Sequence, residues 1–134
     1  MTNFTIDLPP GIDRAVLRIL SERVGQYKAI ARPELVGYVQ GYGFLKDCSY
    51  EEAERIVRHC INQLRKQGVP ICSIGGKRGG YYYSDGWDDL MGYIHRELDS
   101  RISDLMEQRR ALKDQAEKTW GKFSPEKQSS FELE

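Results

Sequence analysis

The sequence predicts an α+β fold that is mostly helical, with three short helices, one β-hairpin and a long C-terminal helix. Apolar residues recur at helical spacing in the first half, and two β-prone runs flank a glycine-rich loop further on. A final polar stretch lacks proline over some thirty residues. We therefore expect an N-terminal arm (1–11), a compact domain (12–84), a long helix (85–120) and a disordered polar tail (121–134).

Two helices are predicted near the N-terminus, over about 12–24 and about 33–40, because apolar residues there lie three and four positions apart. Gly25 ends the first of them. Pro33 suits the first turn of the second, since the N–H that proline lacks would have no partner there. Glycines 41 and 43 then indicate a turn.

The third helix, predicted over about 50–67, has the clearest start in the chain. Ser49 and Glu52 match a capping box, in which each side chain accepts a hydrogen bond from the other residue's backbone N–H. Apolar residues from Ala53 to Leu64 fall on one face, and Gly68 ends the helix. The opposite face is polar and charged.

A β-hairpin is predicted over 71–83, directly after the third helix. Pro70 suits the edge of a strand, and the runs ICSI and GYYY are β-prone. The loop between them, GGKRGG, joins two strands and lacks the spacing of a phosphate-binding P-loop. Two strands joined by such a glycine-rich loop form a hairpin.

The charge distribution is uneven although the formal net charge is zero. Residues 1–54 carry a net charge of −2, residues 55–84 carry +6 without a single acidic side chain, and residues 85–134 carry −4. A nucleic-acid binder needs a local positive surface rather than a positive total. The helix and hairpin of residues 55–84 are therefore the candidate phosphate-binding surface.

The order of elements, read through SYEEAERIVRHCINQLRKQG and PICSIGGKRGGYYYS, resembles the winged helix-turn-helix family. The resemblance covers residues 12–84 and extends to small bacterial or prophage-type transcriptional regulators with a biotin-repressor-like wing. It implies that the third helix lies in the major groove and that the hairpin is a wing on the DNA backbone or in the minor groove. Double-stranded DNA would then be the partner.

Candidate DNA-binding residues follow from that placement. Arginine can bind guanine through two hydrogen bonds, and Asn or Gln can bind adenine likewise, while late helix residues and the hairpin tip suit phosphates. The candidates are Tyr50, Glu54, Arg55, Arg58, His59, Asn62, Gln63, Arg65, Lys66, Lys77 and Arg78.

Three carboxylates, Glu51, Glu52 and Glu54, depart from the family pattern because they lie at the start of the reading helix, where phosphates would repel them. They also suit the helix dipole, and a glutamate can accept a hydrogen bond from cytosine. A winged-helix adaptor that binds a protein through the C-terminal helix is therefore the alternative function.

The C-terminal helix carries an apolar stripe with alternating spacings of four and three, interrupted by Arg109. The stripe is too long to be covered entirely by folding back on a small domain, so self-association into a homodimer is favoured over fold-back. The predicted dimerisation residues are Met91, Ile94, Leu98, Ile102, Leu105 and Leu112.

Other function classes lack a supporting pattern. Cys48, Cys60 and Cys72 are spaced too widely for a zinc knuckle or a redox pair, so we expect ordinary buried thiols. His59 and His95 have no neighbouring ligands at metal-binding spacing. No grouping of side chains suits catalysis, and no apolar leader or membrane span is visible. We expect a cytoplasmic protein that is not an enzyme and needs no cofactor.

Overall fold

The computed structural model describes residues 8–76 and 79–121. Its elements are α1 (Ile12–Ser21), a short 3₁₀ turn (Gln26–Lys28), α2 (Arg32–Gly41), α3 (Tyr50–Lys66), β1 (Ile71–Ile74), β2 (Gly80–Tyr83), α4 (Trp87–Tyr93), a π-helical segment (Ile94–Asp99) and α5 (Ser100–Trp120). The prediction of a mostly helical α+β fold is confirmed at that level. Residues 1–7 of the predicted N-terminal arm and residues 122–134 of the predicted polar tail lie outside the described residues.

The main core lies between α1, α2, α3 and the hairpin. Each helix contributes the apolar face that its sequence spacing defines, and strand residues close the open side. Its buried members include Val16, Leu20, Ile30, Leu35, Val39, Val57, Ile61, Leu64, Ile71 and Tyr81. Leu8 and Phe44 pack against this cluster from outside, so the described end of the N-terminal arm is docked on the domain.

A third piece of the sheet, which the sequence did not reveal, lies between α1 and α2. Tyr83 donates its backbone N–H to Arg23 at 2.8 Å, and Gly25 donates to Tyr83 at 2.8 Å. Ile30 and Tyr81 exchange backbone hydrogen bonds at 2.9 and 3.0 Å. β2 therefore lies between this segment and β1. β1 and β2 pair antiparallel, with Ile71 opposite Tyr83.

The same pairing corrects the predicted end of the first helix. α1 ends at Ser21, whereas the spacing predicted helix to about residue 24. Val24 instead forms a β-bridge with Tyr83. It therefore fits the apolar spacing of the first helix in sequence but is not part of that helix. Backbone pairing with the sheet has overridden a local helical pattern.

The ends of α3 agree with its sequence signals in part. Ser49 Oγ accepts a hydrogen bond from the Glu52 backbone N–H at 3.2 Å, which confirms the N-cap. The Glu52 carboxylate instead accepts a bond from Arg55 at 2.9 Å, so the reciprocal half of the capping box is not formed. At the other end Gly68 has φ +95°, and the Val69 N–H donates to the Leu64 carbonyl at 3.0 Å.

The start of α4 is anchored by a buried polar group. Ser84 Oγ donates to the Asp89 carboxylate at 3.0 Å, and Tyr82 Oη donates to the same carboxylate at 3.2 Å. Burial raises the pKa of Tyr82 well above its usual range, and Cys72 and Asp89 add to that rise. Tyr82 and Cys72, which are opposite each other across the hairpin, are both buried but are not members of the main core cluster.

The C-terminal helical region differs from the uninterrupted helix that the sequence predicted. The chain divides into two compact units, one ending at Tyr93 and the other beginning at Ile94, so α4 belongs with the first. The π-helical segment Ile94–Asp99 closes i→i+5 hydrogen bonds, so heptad spacing cannot be counted through it. Met91 and Ile94, both half-buried, therefore do not extend the α5 stripe as predicted.

The three thiols agree largely with the expectation of buried apolar cysteines. Cys60 and Cys72 are buried, Cys48 is half-buried, and no disulfide joins them. Burial, with a smaller contribution from Asp13, raises the pKa of Cys60 to about 11. A thiol with so high a pKa is protonated at neutral pH and is a poor nucleophile.

Candidate nucleic-acid interface

The outward face of α3 presents a continuous polar stripe. Arg55, Arg58, Asn62 and Lys66 are exposed and follow one another at spacings of three, four and four, which places them along one side of the helix. The apolar face of α3 is buried in the main core, which fixes the rotation of the helix about its axis. A fixed helix with a free polar face meets the geometric requirement for a helix that reads a groove.

Two of these cations are already paired with the helix's own carboxylates. Arg55 lies 2.9 Å from the Glu52 carboxylate, and Arg58 lies 3.5 Å from that of Glu54. Both arginine side chains remain about half exposed, at 49% and 55%. With Glu51 also exposed, the first half of the stripe is close to electrically neutral.

Arg65 is turned away from the stripe and serves the packing of the domain. Its Nε donates to the Ile71 carbonyl at 2.8 Å, and its Nη2 donates to Ser73 Oγ at 2.9 Å. The guanidinium carbon lies 5.5 Å from the ring centre of Tyr93 and 6.0 Å from that of Tyr81. The sequence predicted that Arg65 contacts phosphate; in the structure two of its N–H groups are used within the fold, and the phosphate contact stays a prediction.

Arg65 thereby fixes the hairpin against the last turn of α3. Its side chain spans from α3 to β1, and Ser73 Oγ lies 3.1 Å from Tyr93 Oη, which brings the end of α4 into the same cluster. Because β1 follows α3 after only a short turn, these bonds set the angle at which the hairpin leaves the helix. Arg65 is thus a positioning residue for whatever the hairpin loop contacts.

The hairpin loop spans residues 75–79, and its two predicted DNA contacts, Lys77 and Arg78, lie outside the described residues. Close packing restricts which residues can occupy the base of the loop. A Cβ on Gly80 would lie 2.7 Å from the Ile30 carbonyl oxygen, so only glycine fits there without movement of the backbone. A Cβ on Gly79 would lie 2.5 Å from Cζ of Arg32, which shows how closely that guanidinium approaches the loop.

Arg32 is a cation beside the hairpin that the sequence analysis missed. It lies at the start of α2, where the helix dipole disfavours positive charge. A cation in the first turn is unfavourable for the helix itself. Its presence could therefore have indicated that Arg32 has a role outside α2. In the structure its guanidinium lies beside Gly79 at the base of the hairpin loop.

The remaining candidates lie around the α3 stripe with different exposure. Tyr50 begins the helix and is exposed, whereas Glu54, His59 and Gln63 are half-buried along its flanks. Tyr38 on α2 and Tyr42, which caps the end of that helix, are two further exposed aromatic side chains that the sequence did not single out. Their spacing of four residues places both rings on one side of the helix, and this spacing could have indicated an exposed aromatic pair.

Comparisons with known protein families, with curated proteins and with solved structures found no match to this chain. Within residues 8–76 and 79–121, no three His, Cys, Asp or Glu side chains lie close enough together to hold a metal ion. No helix in this described part has the length and apolar character needed to cross a membrane. The geometry of α2, α3 and the hairpin is therefore the basis for the function proposed below.

Proposed function

We propose that residues 12–84 form a winged helix-turn-helix domain that binds double-stranded DNA in a sequence-dependent manner, as a transcriptional regulator does. The observation that carries the proposal is the exposed stripe of Arg55, Arg58, Asn62 and Lys66 on a helix followed directly by a glycine-rich hairpin. The sheet order supports it further, because a segment between the first two helices pairs with the second hairpin strand. In this arrangement α3 reads the major groove and the hairpin is the wing.

The residues of the stripe have different roles in this proposal. Arg55 and Arg58 lie in the first half of α3 and contact base edges, with guanine as the preferred base for each. Asn62 lies one turn further on and suits adenine. Lys66 lies at the helix end and contacts phosphate, as Lys77 and Arg78 of the hairpin loop do.

The glutamate pairs on α3 are compatible with this role because both arginines remain about half exposed, although Glu54 is itself half-buried. Ion pairs between solvent-exposed side chains typically contribute about 0–1 kcal/mol, so a phosphate or a guanine can replace Glu52 or Glu54 as the partner at little cost. Their negative charge nevertheless reduces attraction to any phosphate backbone. We infer that they suppress non-specific binding more than specific binding.

The proposal is tested by selecting bound duplexes from a random DNA pool with the full chain, followed by salt titrations on the enriched sequence. Affinity should fall steeply with salt, because phosphate contacts release counterions. Replacing Lys77 and Arg78 with alanine should flatten the slope of log K against log salt by up to about 2. Replacing Arg55 and Arg58 should weaken binding to the selected sequence more than to random DNA.

Lys118→Ala in α5 is the matched control, since it removes an exposed cation far along the chain from the proposed interface. It should leave both the affinity and the salt slope unchanged. Failure of the wild-type chain to retain any duplex at low salt would overturn the proposal. Equal loss of affinity in the Lys118 variant would instead indicate binding by overall charge.

A second candidate function is a winged-helix adaptor that binds a protein through the C-terminal helix. The near-neutral charge of the first half of α3 favours it, because Glu51, Glu52 and Glu54 offset the nearby arginines. An adaptor should keep its function when Arg55 and Arg58 are both replaced by alanine. A DNA-binding regulator should lose it.

A further inference from the structure

The helix α5 carries an apolar face for which the described residues provide no cover. Ile102, Leu105 and Leu112 are 56, 61 and 70% exposed, and α5 contains no buried residue. With Arg109 and Ala116 they follow spacings of three, four, three and four, which is the seam of a coiled coil. The α5 helix has 21 residues, which corresponds to three heptads.

The phase of that seam assigns each residue a position. Ile102, Arg109 and Ala116 occupy the a positions, and Leu105 and Leu112 occupy the d positions. The flanking e positions are Asp99, Met106 and Lys113. Asp99 has φ −64° and ψ −37°, so it continues the α-helical phase of α5 even though it ends the π-helical segment.

We propose that a second copy of this chain covers the α5 seam and that the two α5 helices run antiparallel. The proposal goes beyond DNA binding and does not depend on it. Arg109 decides the orientation, because a parallel pair would place it directly against the partner's Arg109 at the centre of the seam. In an antiparallel pair a positions face d positions, so Arg109 packs against the partner's Leu105 and the two like charges are separated.

In the antiparallel register the remaining layers of the seam also bring apolar residues together. Ile102 faces the partner's Leu112, and by the two-fold symmetry Leu112 faces the partner's Ile102. Ala116 lies at the end of the seam, beyond the last layer to which both α5 helices contribute. The seam is thus apolar throughout except at the two arginine positions.

The flanking residues favour the same orientation. In an antiparallel pair e positions lie beside e positions, so Met106, which is 59% exposed, packs against the partner's Met106. Asp99 then lies beside the partner's Lys113, and the symmetry forms this opposite-charge contact twice. In a parallel pair e positions lie beside g positions, and Met106 would face the partner's Arg101.

Two single cysteine variants distinguish the orientations. Met106→Cys lies next to its own copy only in the antiparallel pair. Ala116→Cys lies next to its own copy only in the parallel pair, because the antiparallel register separates the two Ala116 positions by about 27 Å along the axis. Both are made with Cys48→Ser, which removes the half-buried native thiol, and that background alone is the control.

Under mild oxidation we expect a covalent dimer for Met106→Cys and none for Ala116→Cys or the background. Sedimentation equilibrium of the wild-type chain should show a monomer–dimer equilibrium. Reversing the charges singly, as Asp99→Lys or Lys113→Glu, should weaken the dimer, and the double variant should restore it. Crosslinking of Ala116→Cys alone would establish the parallel pair and overturn the proposal.

Arg109→Leu provides a second, independent test. Removing the charge from the seam should tighten association by about tenfold or more, and it should allow Ala116→Cys to crosslink because the orientation is no longer enforced. A wild-type chain that stays monomeric at all concentrations would overturn the self-association. That result leaves the DNA titrations of the same monomer unaffected, so failure of this proposal and failure of DNA binding are distinguishable.

Discussion

Replacement of Arg65 by methionine should destabilise the domain more than any other change of a charged residue on α3. Methionine keeps the apolar stem but removes the guanidinium, which donates to Ile71 at 2.8 Å and to Ser73 at 2.9 Å. A hydrogen bond from a charged donor contributes about 1.5–3 kcal/mol, with the lower value suited to this partly buried site. The two ring contacts add about 0.5–1 kcal/mol together.

Two such hydrogen bonds and the ring contacts together give an expected loss of about 3.5–4 kcal/mol in the free energy of unfolding. Urea denaturation followed by far-ultraviolet circular dichroism measures it, since Trp87 and Trp120 are both exposed and give a weak fluorescence signal for unfolding. Lys66→Met is the matched control on the adjacent exposed cation and should change stability by no more than about 0.5 kcal/mol. Arg65→Lys should fall between the two, because an ammonium cannot make both bonds with the same geometry.

A double-mutant cycle makes the reasoning refutable. Ser73→Ala combined with Arg65→Met should cost less than the sum of the two single changes, because the two side chains share a hydrogen bond. A loss below about 0.5 kcal/mol for Arg65→Met would show that the cluster contributes nothing to stability, and strict additivity in the cycle would show that Arg65 and Ser73 are not coupled.

Three further predictions concern the domain. Ser49→Ala removes the N-cap acceptor of α3 and should lower the free energy of unfolding by about 1 kcal/mol in urea denaturation. Gly80→Ala should cost about 1–3 kcal/mol because its Cβ would meet the Ile30 carbonyl, whereas Gly75→Ala, with nothing within 4 Å, should be nearly neutral. The pKa of Cys60, raised to about 11 from 9.0, means that the unfolded thiol ionises first, so its contribution to stability is complete below pH 9 and is lost as the pH rises towards 11. The Cys60→Ala variant should show a shallower decline in stability over that range, and an unchanged decline would contradict the assignment.

The elements that the sequence predicted well are those with strong local signals. α3 shows its N-cap serine, its continuous apolar face and its terminal glycine in the sequence, and the structure has all three. The hairpin followed from two β-prone runs around a glycine-rich loop, and its strands pair in the expected region. In both cases short-range chemistry and tertiary packing favour the same conformation.

The elements that the sequence did not predict depend on contacts between distant parts of the chain. The pairing of residues 23–30 with β2 has no local pattern, because the stretch meets β2 at two isolated bridges, at Val24 and at Ile30, rather than as a continuous strand. Arg65 and Lys66 are adjacent cations at the end of α3, and the sequence gives no sign that their environments differ. In the structure Arg65 is bonded to the hairpin and Lys66 is exposed. The π-helical segment likewise follows no proline or glycine signal at its own positions.

The link between Ile30 and Tyr81 has a consequence for how the chain folds. It joins residues about fifty positions apart, and both α2 and α3 lie within the loop that it closes. Closing so large a loop costs entropy that local helix formation does not recover, which slows folding. During synthesis, the proposed reading helix therefore leaves the ribosome well before the strand that completes its scaffold, and until Tyr83 emerges the nascent domain exposes core side chains that a chaperone could bind.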